Sequence, residues 1–235
     1  MSATLIALGC AAVAGAVYVG VPRLVLNRHK RRLLERCRRQ RVIVVTFDDG
    51  PGRLLTPIIC NRLQETGLLA TFFLLGSNVK GNEDLVELIR SSGHEIGSHG
   101  EEHVHHLWSW PWAGILDTKS AWNRLRDLLG ADATRMPFRP PYGKMNLLSW
   151  LWIVWHRTAV MLWTHDSFDT RLGTDKSPQQ LVDELRRDGG GVVLLHDFDR
   201  SVANAGKQVL AKLDAVLALR SEGFEFCRAG QLLES

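Results

Sequence analysis

The stretch RVIVVTFDDGP, residues 41–51, decides the fold. Its first seven residues form a short β-branched run, the pattern of a buried strand. Asp48, Asp49, Gly50 and Pro51 end that run at a turn. The like charges of two adjacent carboxylates repel unless a cation or a proton is shared between them. One of the pair can bind a metal while the other acts as a base.

Downstream, strand and helix patterns alternate. Residues 54–66 have helical periodicity and stop at Gly67; residues 70–75 (ATFFLL) read as a second strand. A helix over 83–91 ends at Gly93, and 95–98 is a short third strand. Helices are expected over 112–129 and 146–156, then a strand over 159–163. Ser177 and Pro178 open a helix over 177–187 as cap and first-turn proline. Gly189, Gly190 and Gly191 lead into a strand over 192–195; a helix over 203–220 and a last strand over 224–227 follow. This alternation predicts an α/β body with a parallel sheet or barrel, whose chemistry sits where strands end.

Polar residues gather at those ends. His99 and His103 stand four apart, so one helical turn would point both imidazoles the same way. Two histidines and one aspartate make a three-ligand metal site with an open position for water. Arg139-Pro140-Pro141-Tyr142-Gly143 is a rigid turn carrying a permanent cation, able to present a backbone N–H to a developing oxyanion. WTHDSFD, residues 163–169, follows the expected strand over 159–163, and the strand over 192–195 delivers His196-Asp197. A histidine at a strand end near a carboxylate is a candidate general acid. His105, His106 and His156 have no such partner and read as structural or exposed; His94 reads as a packing residue.

The N-terminal arm is different in kind. Residues 2–22 hold no charge, about the length that crosses the hydrocarbon core as a helix. Residues 1–41 carry nine Lys/Arg against the single acid Glu35, whereas the whole chain has 29 basic and 25 acidic residues. The expected organisation is a transmembrane anchor over 1–26, a basic juxtamembrane linker over 27–40 and a catalytic domain over 41–235. A cleaved signal peptide at Ala12-Val13-Ala14 is the competing reading, weakened by the lack of a positive start. The positive-inside rule places the body in the cytoplasm. With its charge confined to the arm, the body gives no reason to expect nucleic acid. Cys10, Cys37, Cys60 and Cys227 are scattered, which excludes a disulfide scaffold and a Cys-rich zinc module. Six of the eight Trp fall in LWSWPWAG (107–114) and LLSWLWIVWHR (147–157), which suggests a body lying against the bilayer, with core packing and sugar stacking as alternatives.

The ordered set TFDDGP, SHGEEH, RPPYG, WTHDSFD and LLHD resembles the polysaccharide deacetylase family, also called the NodB-homology or carbohydrate esterase 4 family. The resemblance covers roughly residues 40–230. It implies an irregular (β/α) barrel that uses zinc or another divalent metal to remove acetyl groups from N-acetylated sugars. Carried over residue by residue, it implies Asp49, His99 and His103 as metal ligands, Asp48 as base and Arg139 as the base's orienting partner. Tyr142 would supply the oxyanion N–H, His196 the general acid and Asp166 the carboxylate that tunes it. Pro141, Leu194 and Trp163 would line the substrate pocket. Two departures stand out: Gly100 where Ser or Thr is usual, implying a looser ligand loop, and Thr170 where Trp is usual, which bears on groove shape. The expected function is a membrane-anchored, metal-dependent N-deacetylase of an amino-sugar glycan, either a polysaccharide or a lipid-linked oligosaccharide. Deformylation of a lipid-linked formamido sugar and non-catalytic sugar binding are the alternatives.

Overall fold

The computed structural model describes residues 3–170, 176–199 and 205–234. After a first helix α1 (Ala3–Gln40), the chain runs β1 (Val42–Asp48), α2 (Leu55–Thr66), β2 (Thr71–Leu74), α3 (Gly76–Val79), α4 (Glu83–Ser91) and β3 (Glu95–Ser98). Then come α5 (Ala113–Leu129), α6 (Leu147–Trp155), β4 (His165–Asp166), α7 (Pro178–Asp188), β5 (Gly191–His196), α8 (Ala205–Leu217), β6 (Glu225–Phe226) and α9 (Ala229–Glu234). All strand pairs are parallel, in the order β3-β2-β1-β5-β4. The other edge of β1 is shared: β2 pairs with its last three residues and β6 with its first two.

The ring closes irregularly. Ser98, at the end of β3, bridges Phe138, and Phe138 bridges Val160, five residues before the start of β4. The expected strand over 159–163 is therefore a correction. Only Val160 bridges there, and the strand proper is His165–Asp166, level with Val193 and Leu194 of β5. Ser177 caps α7 with a full capping box, as its position in the sequence suggests.

Period two along the strands divides the interior in two. Ile43, Val45, Phe47, Val193 and Leu195 face one cluster, packed under α2, α4, α7 and α8. Val42, Val44, Val192 and Phe73 face the other. On that second face, β1 reads Val42, Val44, Thr46, Asp48: apolar at the entry of the strand and polar at its exit.

Residues 27–40 are not a linker. They continue α1 without interruption, and Leu26, Leu33 and Cys37 lie buried in the second cluster with Val42 and Val44. Arg36 Nη1 donates to the carbonyls of Leu232 and Leu233, and Arg38 Nε to that of Asp188. Half of α1 thus belongs to the body. The preceding half exposes Leu5, Leu8, Val13, Val17 and Val19, and α1 is a helix long and apolar enough to cross a membrane. All four cysteines are free thiols.

Candidate active site

Asp48 and Asp49 leave β1 at the strand exit, and the backbone separates their tasks. Asp49 adopts a left-handed φ of 68°, as do His103 (55°), Tyr142 (58°) and Phe168 (53°). Each costs about 1–3 kcal/mol in a non-glycine residue, and such strain gathers where geometry is held for chemistry.

Asp48 is buried and accepts from Arg139 Nη1 at 2.6 Å. Arg139, fully enclosed, also donates from Nη1 to Thr46 Oγ (2.8 Å) and from Nε to the Met161 carbonyl, with the Phe73 ring beneath its guanidinium. Burial raises the Asp48 pKa above the ordinary carboxylate range, and the Arg139 cation only partly opposes it. The result is a stronger base than a solvated carboxylate.

Asp49 Oδ1 lies 3.5 Å from both His99 Nε2 and His103 Nε2. It is buried and has no hydrogen-bond partner among the described residues. His99 Nδ1 donates to the Arg139 carbonyl at 2.8 Å, which leaves the Nε2 lone pair facing Asp49. Burial pushes the His99 pKa down to about 3, so the ring stays neutral. One carboxylate oxygen and two imidazole nitrogens, all within 4.8 Å of one another, form a group that could hold a metal ion. An orphaned carboxylate oxygen aimed at neutral nitrogens fits a divalent cation of the zinc type.

The two histidines do not share a helical turn. Residues 99–105 are irregular chain, so the i, i+4 argument does not describe how the two rings meet; the loop, not a helical turn, brings both to Asp49. Gly100 (φ 90°) turns the loop, and a Cβ there would fall 2.1 Å from Asp117 Oδ2. Asp117, from α5, accepts from the Glu102 N–H at 2.7 Å. The missing Ser or Thr side chain therefore does not loosen the ligand loop: a carboxylate from another helix takes that space and holds it. Asp117 carried no signal in the sequence.

Across the site, His196 ends β5. Its Nδ1 donates to Asp169 Oδ1 at 2.7 Å and its backbone N–H to Asp169 Oδ2. Asp166, expected in this role, is the last residue of β4, opposite Leu194, and instead accepts from the Phe168 N–H. Because the strand starts later than its hydrophobic run suggested, the carboxylate level with His196 is three residues further on. Burial alone would lower the His196 pKa, but Asp169, with Asp48 and Asp49 beyond it, raises it. Its Nε2 faces Asp49 Oδ2 at 3.9 Å.

Tyr142 sits in a one-turn helix, Pro141–Gly143, with its ring over His103 and His105. Trp163 packs on Gly143, leaving no room for a Cβ there. Pro141 and Leu194 are buried, and Leu194 shares its face of β5 with His196. Asp197, fully buried, accepts from Thr56 Oγ at 2.6 Å and fills the space beside Gly50. Burial, with Asp49 nearby, raises its pKa to about 7. His94 and His106 are buried packing residues, His94 lowered to about 4 by burial. His105 instead stacks on Tyr142 beside the site. Thr170 is exposed, next to residues outside those described.

The polysaccharide deacetylase family model matches residues 35–152, half of the chain, and takes in the Asp48, Asp49, His99, His103 and Arg139 cluster. The chain belongs to the polysaccharide deacetylase family. It is 31% identical over 198 residues to the peptidoglycan N-acetylglucosamine deacetylase of Listeria monocytogenes, covering 81% of this chain and 38% of that one. A peptidoglycan N-acetylglucosamine deacetylase of Bacillus cereus is 30% identical, with 83% of this chain and 89% of that one covered. The solved structure of the peptidoglycan N-acetylglucosamine deacetylase Bc1960 superposes with a TM-score of 0.72 at 24% identity, over 84% of this chain and 90% of that one. This deacetylase-family chain spans only about two fifths of the Listeria protein, and with the solved structure it shares the fold.

Proposed function

We propose that the protein is a membrane-anchored, metal-dependent hydrolase that removes N-acetyl groups from an amino-sugar glycan. The observation that carries this reading is the opposition of two devices across one cleft: Asp48 on Arg139, beside the Asp49–His99–His103 group, and His196 on Asp169. The relatives of Listeria and Bacillus cereus, whose names specify peptidoglycan N-acetylglucosamine, support the substrate class.

Asp49, His99 and His103 would hold the cation, zinc by the donor set, which supplies Lewis-acid polarisation and an acidified water when bound. Arg139 occupies Asp48 Oδ1, so Oδ2 is the oxygen that takes the proton from the attacking water. The water oxygen adds to the amide carbonyl carbon, and the Tyr142 N–H donates to the oxyanion that forms. His196, protonated and held at Nδ1 by Asp169, gives its Nε2 proton to the nitrogen as the C–N bond breaks. Acetate and a free amine leave. Pro141, Leu194 and Trp163 shape the walls.

The exposed apolar half of α1 is read as the anchor, with the body on the cytoplasmic side by the charge rule. Trp108, Trp110 and Trp112 are exposed, and Trp108 borders one cavity with Val19 and Arg23, which suits a loop at the membrane surface. Trp150 and Trp152 pack half-buried against the second cluster instead.

The test is acetate release from N-acetylglucosamine oligomers by the full-length protein loaded with zinc. Asp48→Asn should slow turnover roughly 10³-fold with metal retained. A variant as active as the parent would overturn the assignment.

A further inference from the structure

A cavity of about 590 Å³ opens beside the site, between α1 and the loop after Arg139. From α1 it takes Val19, Arg23, Leu26 and Lys30, a stripe at spacings of four, three and four that one helix face presents. Tyr142 lines the opposite wall, and its ring also lies 4.5 Å from that of His103, so one side chain borders both the cavity and the catalytic cleft. Leu162 and Trp108 add apolar surface, and Lys144 adds a third cation. None of Arg23, Lys30 and Lys144 is within ion-pair distance of a carboxylate among the described residues; Asp166 acts on Lys30 only at longer range.

We infer that this cavity binds the phosphate of a lipid-linked N-acetylated amino sugar. The lipid runs along the apolar half of α1, and the sugar reaches the Asp49–His99–His103 group past Tyr142. The inference rests on the deacetylase reading above and names its substrate class. Three observations carry it. Arg23 is the first charge after the uncharged stretch 2–22, so it stands at headgroup depth when that stretch spans a bilayer. Lys30 follows on the same face about 10 Å further along the helix, within the body. The lining joins apolar walls to unpaired cations, which matches an amphiphile bearing a phosphate. A neutral polymer in water offers nothing for three cations to bind.

The test uses two synthetic N-acetylglucosamine amphiphiles with the same alkyl chain, one joined through phosphate and one through a neutral ether. Full-length, zinc-loaded protein in zwitterionic nanodiscs is assayed for acetate release. The phosphate-linked compound should be favoured in kcat/KM by roughly ten- to a hundredfold, the worth of one or two charge-assisted hydrogen bonds. The double variant R23E/K30E should bring that ratio to about one or below, and R23K/K30R should retain it. A ratio near one in the parent, or an unchanged ratio in R23E/K30E, would overturn the inference while leaving the deacetylase reading intact. Cleavage of neither amphiphile nor of soluble oligomers would sink the deacetylase reading itself. If phosphatidylglycerol in the nanodisc accelerates both amphiphiles equally, the cavity belongs to bulk lipid and the inference fails.

Discussion

The two flanks of the cleft are built differently. On the ligand flank, Asp48, His99 and Arg139 are all buried, and each is fixed by at least one partner from another element: Arg139 on Asp48, the Arg139 carbonyl on His99, Thr46 on Arg139. On the acid flank, His196 depends on one carboxylate, Asp169, that accepts from both its ring and its backbone. Burial and redundancy immobilise the candidate base and the His99 donor, while Asp49 and His103, only partly buried, keep their facing atoms open to a cation. An acid must cycle its proton, so a carboxylate on Nδ1 that raises proton affinity while Nε2 faces the cleft serves it.

The difference can be broken from either side. The largest effect is expected on the ligand flank, where His99→Ala should abolish both turnover and metal retention. Metal analysis of the purified variant should fall from about one ion per chain to near zero. Retention of a full complement would show that His99 does not ligate. On the acid flank, Asp169→Asn should retain metal and lower kcat on the order of 10²-fold. It should also move the pH profile. The acid works while protonated, so the rate falls as pH rises through the His196 pKa. Asp169 raises that pKa, and its loss shifts the fall to lower pH. An unmoved alkaline limb, read from kcat against pH, would remove Asp169 from the tuning role. Asp166→Asn should leave that limb in place. The smallest effect concerns the loop. Gly100→Ser restores the usual family residue but meets Asp117 at a left-handed φ, and should cost about 1–3 kcal/mol, a drop of several degrees in Tm. Asp117→Ala combined with Gly100→Ser should recover part of that loss. A Gly100→Ser chain as stable as the parent would show that Asp117 yields easily.

Much of the site was legible because its residues sit where strands stop, and a strand stop is a local event. Asp48 and Asp49 follow the β-branched run 42–47, and His196 follows the apolar run 192–195, so chain position alone sends them to one rim. Asp169 was missed for a matching reason. The hydrophobic run near 160 suggested a strand ending at Trp163, whereas hydrogen bonding to β5 begins only at Thr164 and the strand ends at Asp166, so the rim moved three residues with it. Pairing register is a property of two segments, and one segment's pattern does not contain it.

Asp117 illustrates the same limit. Nothing in α5 marks one aspartate as the support of a loop about fifteen residues upstream; only the packing of that helix against Gly100 does. The basic stretch of α1 is the third case. Its charges read as a linker, but Leu26, Leu33 and Cys37 are spaced to dock, and the second cluster offers the surface.

By itself the sequence determined the parallel α/β body, the five polar motifs and the apolar start, because each depends on residues close together in the chain. The tertiary structure decided which carboxylate serves His196, what holds the ligand loop, and that α1 closes one wall of the cavity beside the site. Those depend on which surfaces meet, and that is set by the packing of the whole core.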